Sequence, residues 1–288
     1  MTEEKYILEN TESFEPKHIF ECGQCFRWNK TESGSYIGVF GKNVLEVKKE
    51  NKKIIFSGVC NGNIQETCIE YFDLKRNYEE IKTKLSGIDK NMKKSIEYGD
   101  GIRILNQDLW ETLISFIISA NNNIPRIKGI IERISAKYGK KIEYKGKTYY
   151  TFPTPEELAG AKVEDFRSLG CGFRDKRIYE TTQRVLSGEI NLENMKNIKD
   201  TNLLREELLK IPGVGDKVAD CVMLFSTLKR FEVFPIDVWV RRVMNELYIK
   251  NEKEEQVDRK EILRLAEEKY KGMAGVAQQY LFYWKREA

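Results

Sequence analysis

Residues 208–221 read Leu-Leu-Lys-Ile-Pro-Gly-Val-Gly-Asp-Lys-Val-Ala-Asp-Cys (LLKIPGVGDKVADC), and the reading of this stretch decides the fold. Apolar residues recur at helical spacing on both sides, with Leu203, Leu204, Leu208 and Leu209 before the turn and Val218, Val222 and Phe225 after it. Ile211-Pro212-Gly213-Val214-Gly215 cannot continue a helix, because proline lacks an amide donor and each glycine admits positive φ. The segment therefore predicts a helix, a tight glycine hairpin and a second helix. The first amides of that second helix would point outward beside the positive end of its dipole, which suits a phosphate. It is not a P-loop: the Gly-x-x-x-x-Gly-Lys-Ser/Thr spacing is absent, and Asp216 would repel an approaching triphosphate. Taken alone, the segment fits a solvated Lys217 on an ordinary helical hairpin equally well.

Working outward, the chain of 288 residues is long enough for one large domain or two modest ones, with the composition of an ordinary soluble globular protein. The acidic start, MTEEKYILEN, has no apolar core of a signal peptide, and no apolar run is long enough to span a bilayer. A net charge of +4 is only mildly basic, so any nucleic-acid footprint must be local. Cys22 and Cys25 form a C-x-x-C, but no second pair accompanies them and His18 is the only histidine, so six reduced thiols are expected rather than a metal site.

Residues 1 to about 60 read as short antiparallel strands: Cys25 to Trp28, Tyr36 to Phe40, Val44 to Lys48 after the Gly41-Lys42 turn, and Lys53 to Phe56. Residues 64–99 shift to helical spacing. A boundary near Gly99–Gly101 divides the chain into 1–100, an N-terminal antiparallel β-sheet domain, and 101–288, a mostly helical domain of two lobes; the fold class is α+β. In the second part, Leu109 to Ala120 predicts an apolar helix ending at Asn121-Asn122-Asn123, and Pro125 marks the first turn of the next. Residues 139–152 predict a loop or small hairpin. Thr154 is a candidate N-cap for a helix beginning at Pro155, and Leu169 to Arg174 is a glycine-rich break between helices.

The hairpin followed by Lys217-Val218-Ala219-Asp220, with Phe234-Pro235-Ile236-Asp237 about twenty residues on, resembles the helix-hairpin-helix (HhH-GPD) DNA glycosylases, and Cys221 narrows the resemblance to the 8-oxoguanine DNA glycosylase/AP lyases. Ordered matches extend along most of the chain: Gly23 to Trp28, Arg103 to Trp110, Ser115 to the Asn triplet, the Gly172 turn, and Ala277 to Phe282. The resemblance implies that Lys217 is the nucleophile and forms a Schiff base with the deoxyribose, after which β-elimination nicks the strand. Attack requires a neutral amine, which an unshifted lysine seldom presents at neutral pH; desolvation and the helix dipole are expected to help. Asp237 reads on spacing as a helix N-cap, and a carboxylate held ionised by amides would also stabilise an oxocarbenium ion.

A base within a duplex must be extruded before its C1′ is reached. Lys217 and Cys221 are i and i+4 on one helix face, and Gln278 and Phe282 repeat that spacing. On spacing alone, Cys221 and Phe282 are core residues and Gln278 a solvated polar. The resemblance sets Cys221 and Phe282 on opposite faces of the flipped base and Gln278 at its Watson-Crick edge. It also implies that a carbonyl at Gly23, otherwise a strand-edge glycine, reads the N7 hydrogen that distinguishes 8-oxoguanine from guanine. It places Asn121 in the vacated duplex space, Arg126 and Arg174 at the orphaned cytosine, Phe173 as a wedge, and Gly213 and Gly215 at the phosphate backbone. For both arginines, phosphate contact or plain solvation is the simpler reading. Phe173 stands where human-type enzymes have Tyr, and Trp239 where they have His, so the preference for the opposite base does not carry over.

The expected partner is double-stranded DNA containing 8-oxoguanine, with no membrane and a monomeric enzyme. No metal and no cofactor are expected for the chemistry, although hairpin carbonyls suit a structural monovalent cation. An iron-sulfur cluster is excluded because no cysteine follows Cys221. The protein is expected in the cytoplasm at the nucleoid of a prokaryote, or in a eukaryotic nucleus, and not secreted. Two alternatives stay open: a non-catalytic hairpin module that binds DNA, and a glycosylase for another damaged base.

Overall fold

The computed structural model describes residues 3–253 and 257–287. Five strands, β1 (Glu3–Leu8), β2 (Trp28–Lys30), β3 (Tyr36–Phe40), β4 (Asn43–Glu50) and β5 (Lys53–Val59), form one antiparallel sheet in the order β1-β5-β4-β3-β2. At its far edge Trp28 pairs with Gly38, and any side chain at Gly38 would collide with the Trp28 indole. The missing side chain lets the indole lie across the sheet, where it stacks on Phe20 with ring centroids 4.0 Å apart. Phe14, Phe56, Phe72 and Leu105 complete the core on this face.

Two departures from the strand reading occur here. Pro16–Glu21 is a short helix, α1, with Pro16 opening it and Ile19 and Phe20 buried. Cys25 to Arg27 are not in a strand; β2 begins only at Trp28.

Helices α2 (Ile64–Tyr71), α3 (Tyr78–Ser86) and α4 (Lys90–Tyr98) follow, as the change of spacing predicts. Leu85, Met92 and Ile96 of α3 and α4 join the core of the helical region rather than that of the sheet. That region comprises α5 (Leu109–Ser119), α6 (Ile124–Tyr138), α7 (Val163–Ser168), α8 (Asp175–Leu186), α9 (Leu192–Asn197), α10 (Thr201–Leu209), α11 (Asp216–Phe225), α12 (Val238–Met244), α13 (Arg259–Tyr270) and α14 (Ala274–Glu287). Almost every residue of α5 is buried, which makes it the axis of this half.

The segment 139–152 forms a hairpin of β6 (Lys141–Tyr144) and β7 (Lys147–Tyr150). Ile142 and Tyr144 pack on Val39, Val44 and Val59, so the hairpin covers the otherwise open second face of the sheet. After it, Thr154 does cap: its Oγ1 accepts from the Glu157 amide at 3.3 Å and Glu157 accepts from the Thr154 amide at 2.9 Å. The capped segment is a single turn, however, and the helix expected there starts only at Val163. Gly160 follows at once, and glycine is a poor residue to propagate a turn. Among the described residues no helix is long and apolar enough to cross a membrane.

Candidate active site

The hairpin folds as its sequence reads. In α10, Leu204 and Leu208 are buried, whereas Leu203 and Leu209 are exposed. Gly213 has φ +84°, and a Cβ there would lie 2.7 Å from Cδ of Arg177, so backbone strain and lack of space both demand glycine. Gly215 is different: it caps α11 in an extended conformation (φ −104°) with open space around it. Without a capping side chain, the first amides of α11 stay free for an external acceptor.

Lys217 sits in the first turn of α11, half-buried, with Nζ 5.1 Å from the centroid of the Phe116 ring. It does not stand in open solvent. One turn further on, Cys221 is buried; desolvation pushes its thiol up to about 12, with Lys217 acting in the opposite sense and Asp237 in the same one. At neutral pH this sulfur is a thiol and an apolar wall, not a nucleophile. Asp237 caps α12, its Oδ1 accepting from the Val240 amide at 2.8 Å. The N-cap reading of Asp237 is thus correct, and the cap fixes the carboxylate at the cavity wall.

Gly23, Lys217, Cys221, Asp237, Gln278 and Phe282 all line one cavity of about 50 Å³. Gly23 has φ +87°, and a Cβ there would touch Phe282 and Arg286 at 3.4 Å. Gln24, fully buried, fixes its position: the side chain donates to the carbonyls of Ile19 (2.9 Å) and Arg103 (2.8 Å) and accepts from the Leu105 amide (2.9 Å). Gln107 ties the same loop to the end of α11, its Nε2 donating to the carbonyls of Gln24 (2.8 Å) and Phe225 (3.1 Å). Arg286 donates to the Glu21 carbonyl and lies 5.1 Å from the Phe282 ring centroid.

Phe116, Gln279 and Arg286 were not foreseen at this site. An apolar helix interior conceals Phe116, and the Arg286 contact depends on α14 returning to the loop after α1. Cys22 also lines the cavity, its thiol pushed up by burial to about 11. Among the described residues no group of three or more His, Cys, Asp or Glu could hold a metal ion.

Asn121, Arg126, Phe173 and Arg174 lie outside the cavity lining, at neighbouring turns that together make up a rim of their own. Asn121 is exposed with φ +49°, immediately after α5. Phe173 is 56% exposed, on a turn that Gly170 (φ +90°) and Gly172 (φ +59°) permit. Arg126 is exposed and near Gly172. Arg174, by contrast, is only 2% exposed. It donates to the carbonyls of Ala120 (2.9 Å), Asn121 (2.9 Å) and Cys171 (3.2 Å), and its guanidinium lies 4.1 Å from the Phe173 ring centroid. Arg174 therefore braces the Asn121 turn against the Phe173 turn. Val238 and Trp239 are exposed beside Asp237.

Residues 6–113 match the family of the 8-oxoguanine DNA glycosylase N-terminal domain, and residues 114–269 match the HhH-GPD superfamily of base excision DNA repair proteins. The chain belongs to the 8-oxoguanine DNA glycosylases of the HhH-GPD superfamily. This glycosylase is 34% identical to a probable N-glycosylase/DNA lyase of Methanothermobacter thermautotrophicus, over 76% of this chain and 74% of that one. It is also 34% identical to the N-glycosylase/DNA lyase of Saccharomyces cerevisiae, over 80% and 67%. It superposes with a TM-score of 0.92 on the 8-oxoguanine glycosylase/lyase of Clostridium acetobutylicum in complex with double-stranded DNA containing cytosine opposite 8-oxoguanine. That pair shares 46% identity and covers 100% of this chain and 98% of the other.

Proposed function

We propose that this enzyme extrudes 8-oxoguanine from duplex DNA, cleaves its N-glycosidic bond and nicks the strand at the resulting site. The observation that carries the reading is the meeting of Gly23, Lys217, Cys221, Asp237, Gln278 and Phe282, from segments far apart in sequence, at one cavity. A hairpin module that only binds DNA gives no reason for that convergence.

In this reading the neutral Lys217 amine attacks C1′ as the C1′–N9 bond breaks, and the base departs with the bonding pair. Asp237 stabilises the positive charge developing on the sugar. The C1′–amine adduct opens to a Schiff base, which acidifies the C2′ hydrogens. Loss of one such proton expels the 3′ phosphate by β-elimination, and water then hydrolyses the imine and frees Lys217. Cys221 and Phe282 enclose the base, Gln278 meets its Watson-Crick edge and the Gly23 carbonyl its N7 hydrogen.

At the rim, Phe173 wedges the duplex and Asn121 fills the vacated space, held there by Arg174; Arg126 contacts the orphaned base or its phosphates. Gly213 and Gly215 bring backbone to the DNA phosphates. The hairpin also offers carbonyls for a structural monovalent cation. Those of Ile211 and Gly215 each accept one amide, from Val214 and Ala219, and keep a second lone pair, a donor set suited to a hard cation. The enzyme is proposed to act as a monomer.

Borohydride trapping on a duplex containing 8-oxoguanine tests the reading. The wild type should give a covalent adduct and Lys217→Gln none. Absence of a Lys217-dependent adduct would remove the Schiff-base route.

A further inference from the structure

The cavity contains one polar group that the excision scheme does not use. Gln279 follows Gln278 on α14, is 3% exposed and lines the same cavity. Its Nε2 donates to Gln278 Oε1 at 2.8 Å, while its own Oε1 finds no donor among the described residues. A buried carbonyl oxygen without a donor is costly, and such a group calls for a ligand hydrogen. Gln278 and Gln279 stand four and three residues before Phe282, so all three side chains form one strip on α14.

The chemistry of the vacant acceptor selects its ligand. A guanine-type edge carries N1–H and an exocyclic 2-amino group, both donors. An adenine-type edge has an acceptor at N1 and no 2-amino group. Resting on the excision reading above, we propose that Gln279 Oε1 accepts a hydrogen from the 2-amino group of the extruded 8-oxopurine, while Gln279 Nε2 fixes the amide of Gln278. Gln279 is thereby a specificity-determining residue. It rejects bases lacking the 2-amino group, because they leave a buried acceptor unpaired.

The test is single-turnover excision from two duplexes with cytosine opposite the lesion, one carrying 8-oxoguanine and the other 8-oxohypoxanthine, which differs only in lacking the 2-amino group. Wild type should favour 8-oxoguanine by roughly tenfold or more. In Gln279→Ala that ratio should fall towards one, and Gln279→Met, which keeps the volume, should give the same loss of preference. A ratio unchanged in both variants, even with both rates reduced, would overturn the assignment to Gln279. Excision of neither base by the wild type would instead remove the excision reading, and this proposal with it.

Discussion

Lys217, Cys221, Gln278 and Phe282 stand on faces of two packed helices, and Asp237 is locked as the cap of a third. Asn121 and Phe173 stand on turns, the first at φ +49° and the second just after glycines at +90° and +59°. Chemistry at a single carbon needs atoms held within a fraction of an ångström, which packed elements supply. Entry into a duplex needs exposed side chains on protruding turns, which a helix face cannot project. Arg174 links the two regimes, since its carbonyl contacts stiffen the rim without exposing its charge.

The sharpest way to break this division is to remove pocket chemistry while leaving the rim intact. Lys217→Gln should lower single-turnover excision by about a thousandfold or more with little change in DNA affinity. A comparable loss of affinity would mean that Lys217 grips DNA rather than attacks it. Asp237→Asn isolates charge from capping, because Asn caps a helix as well as Asp. Excision should fall by about 10²–10³ with an unchanged melting temperature; full activity would remove the electrostatic role.

The rim should respond the other way. Phe173→Ala should raise the Kd for lesion-containing duplex by roughly tenfold, with the excision rate of bound DNA less affected. A large rate defect at saturating enzyme would place Phe173 in the chemistry. Gly213→Ala probes the hairpin between the two regions. With φ +84° and a Cβ 2.7 Å from Arg177, it should cost about 1–3 kcal/mol in stability, read by denaturant melts.

The finest effect concerns Asp220, buried beside Cys221 and ion-paired with Arg205 and Arg259. Burial pushes its carboxyl up to about 6, against the pull of both arginines. A carboxyl raised by folding binds its proton more tightly in the folded state. Its contribution to stability therefore falls as pH rises from roughly 4 to about 6 and is constant above. Wild-type stability relative to Asp220→Asn should decline through that window, by at most about 1.4 kcal/mol per pH unit. Parallel stability curves would show that the shift is absent.

Much of the fold was legible because it rests on local chemistry. Pro212 and Gly213 interrupt two periodic runs, Asn123 caps α6, and the glycines around Cys171 punctuate helices, each through backbone rules acting within a few residues. Expectations failed where local signals were true but short-ranged. Thr154 and Glu157 do cap, yet the turn ends at Gly160, and the six-residue α1 is too brief for periodicity to reveal. Of the site, Gly23, Lys217, Cys221, Asp237, Gln278 and Phe282, which the family pattern marks, line one cavity. Arg174, which the resemblance implied at the orphaned cytosine, is buried beneath the Asn121 turn, a position that only the approach of that turn could reveal.

The sequence by itself therefore determined the hairpin and the helix caps, since these follow from φ preferences and amide satisfaction along one segment, whereas the pocket residues were implied only by the family resemblance and not by spacing. Only the tertiary structure decided that the 139–152 hairpin covers the sheet, that Gln24 and Gln107 fasten the Gly23 loop to α11, and that Gln279 presents, beside Gln278, an acceptor without a donor among the described residues. Those facts depend on contacts between segments far apart in the chain, whose partners are set by the packing of the whole core rather than by any local preference.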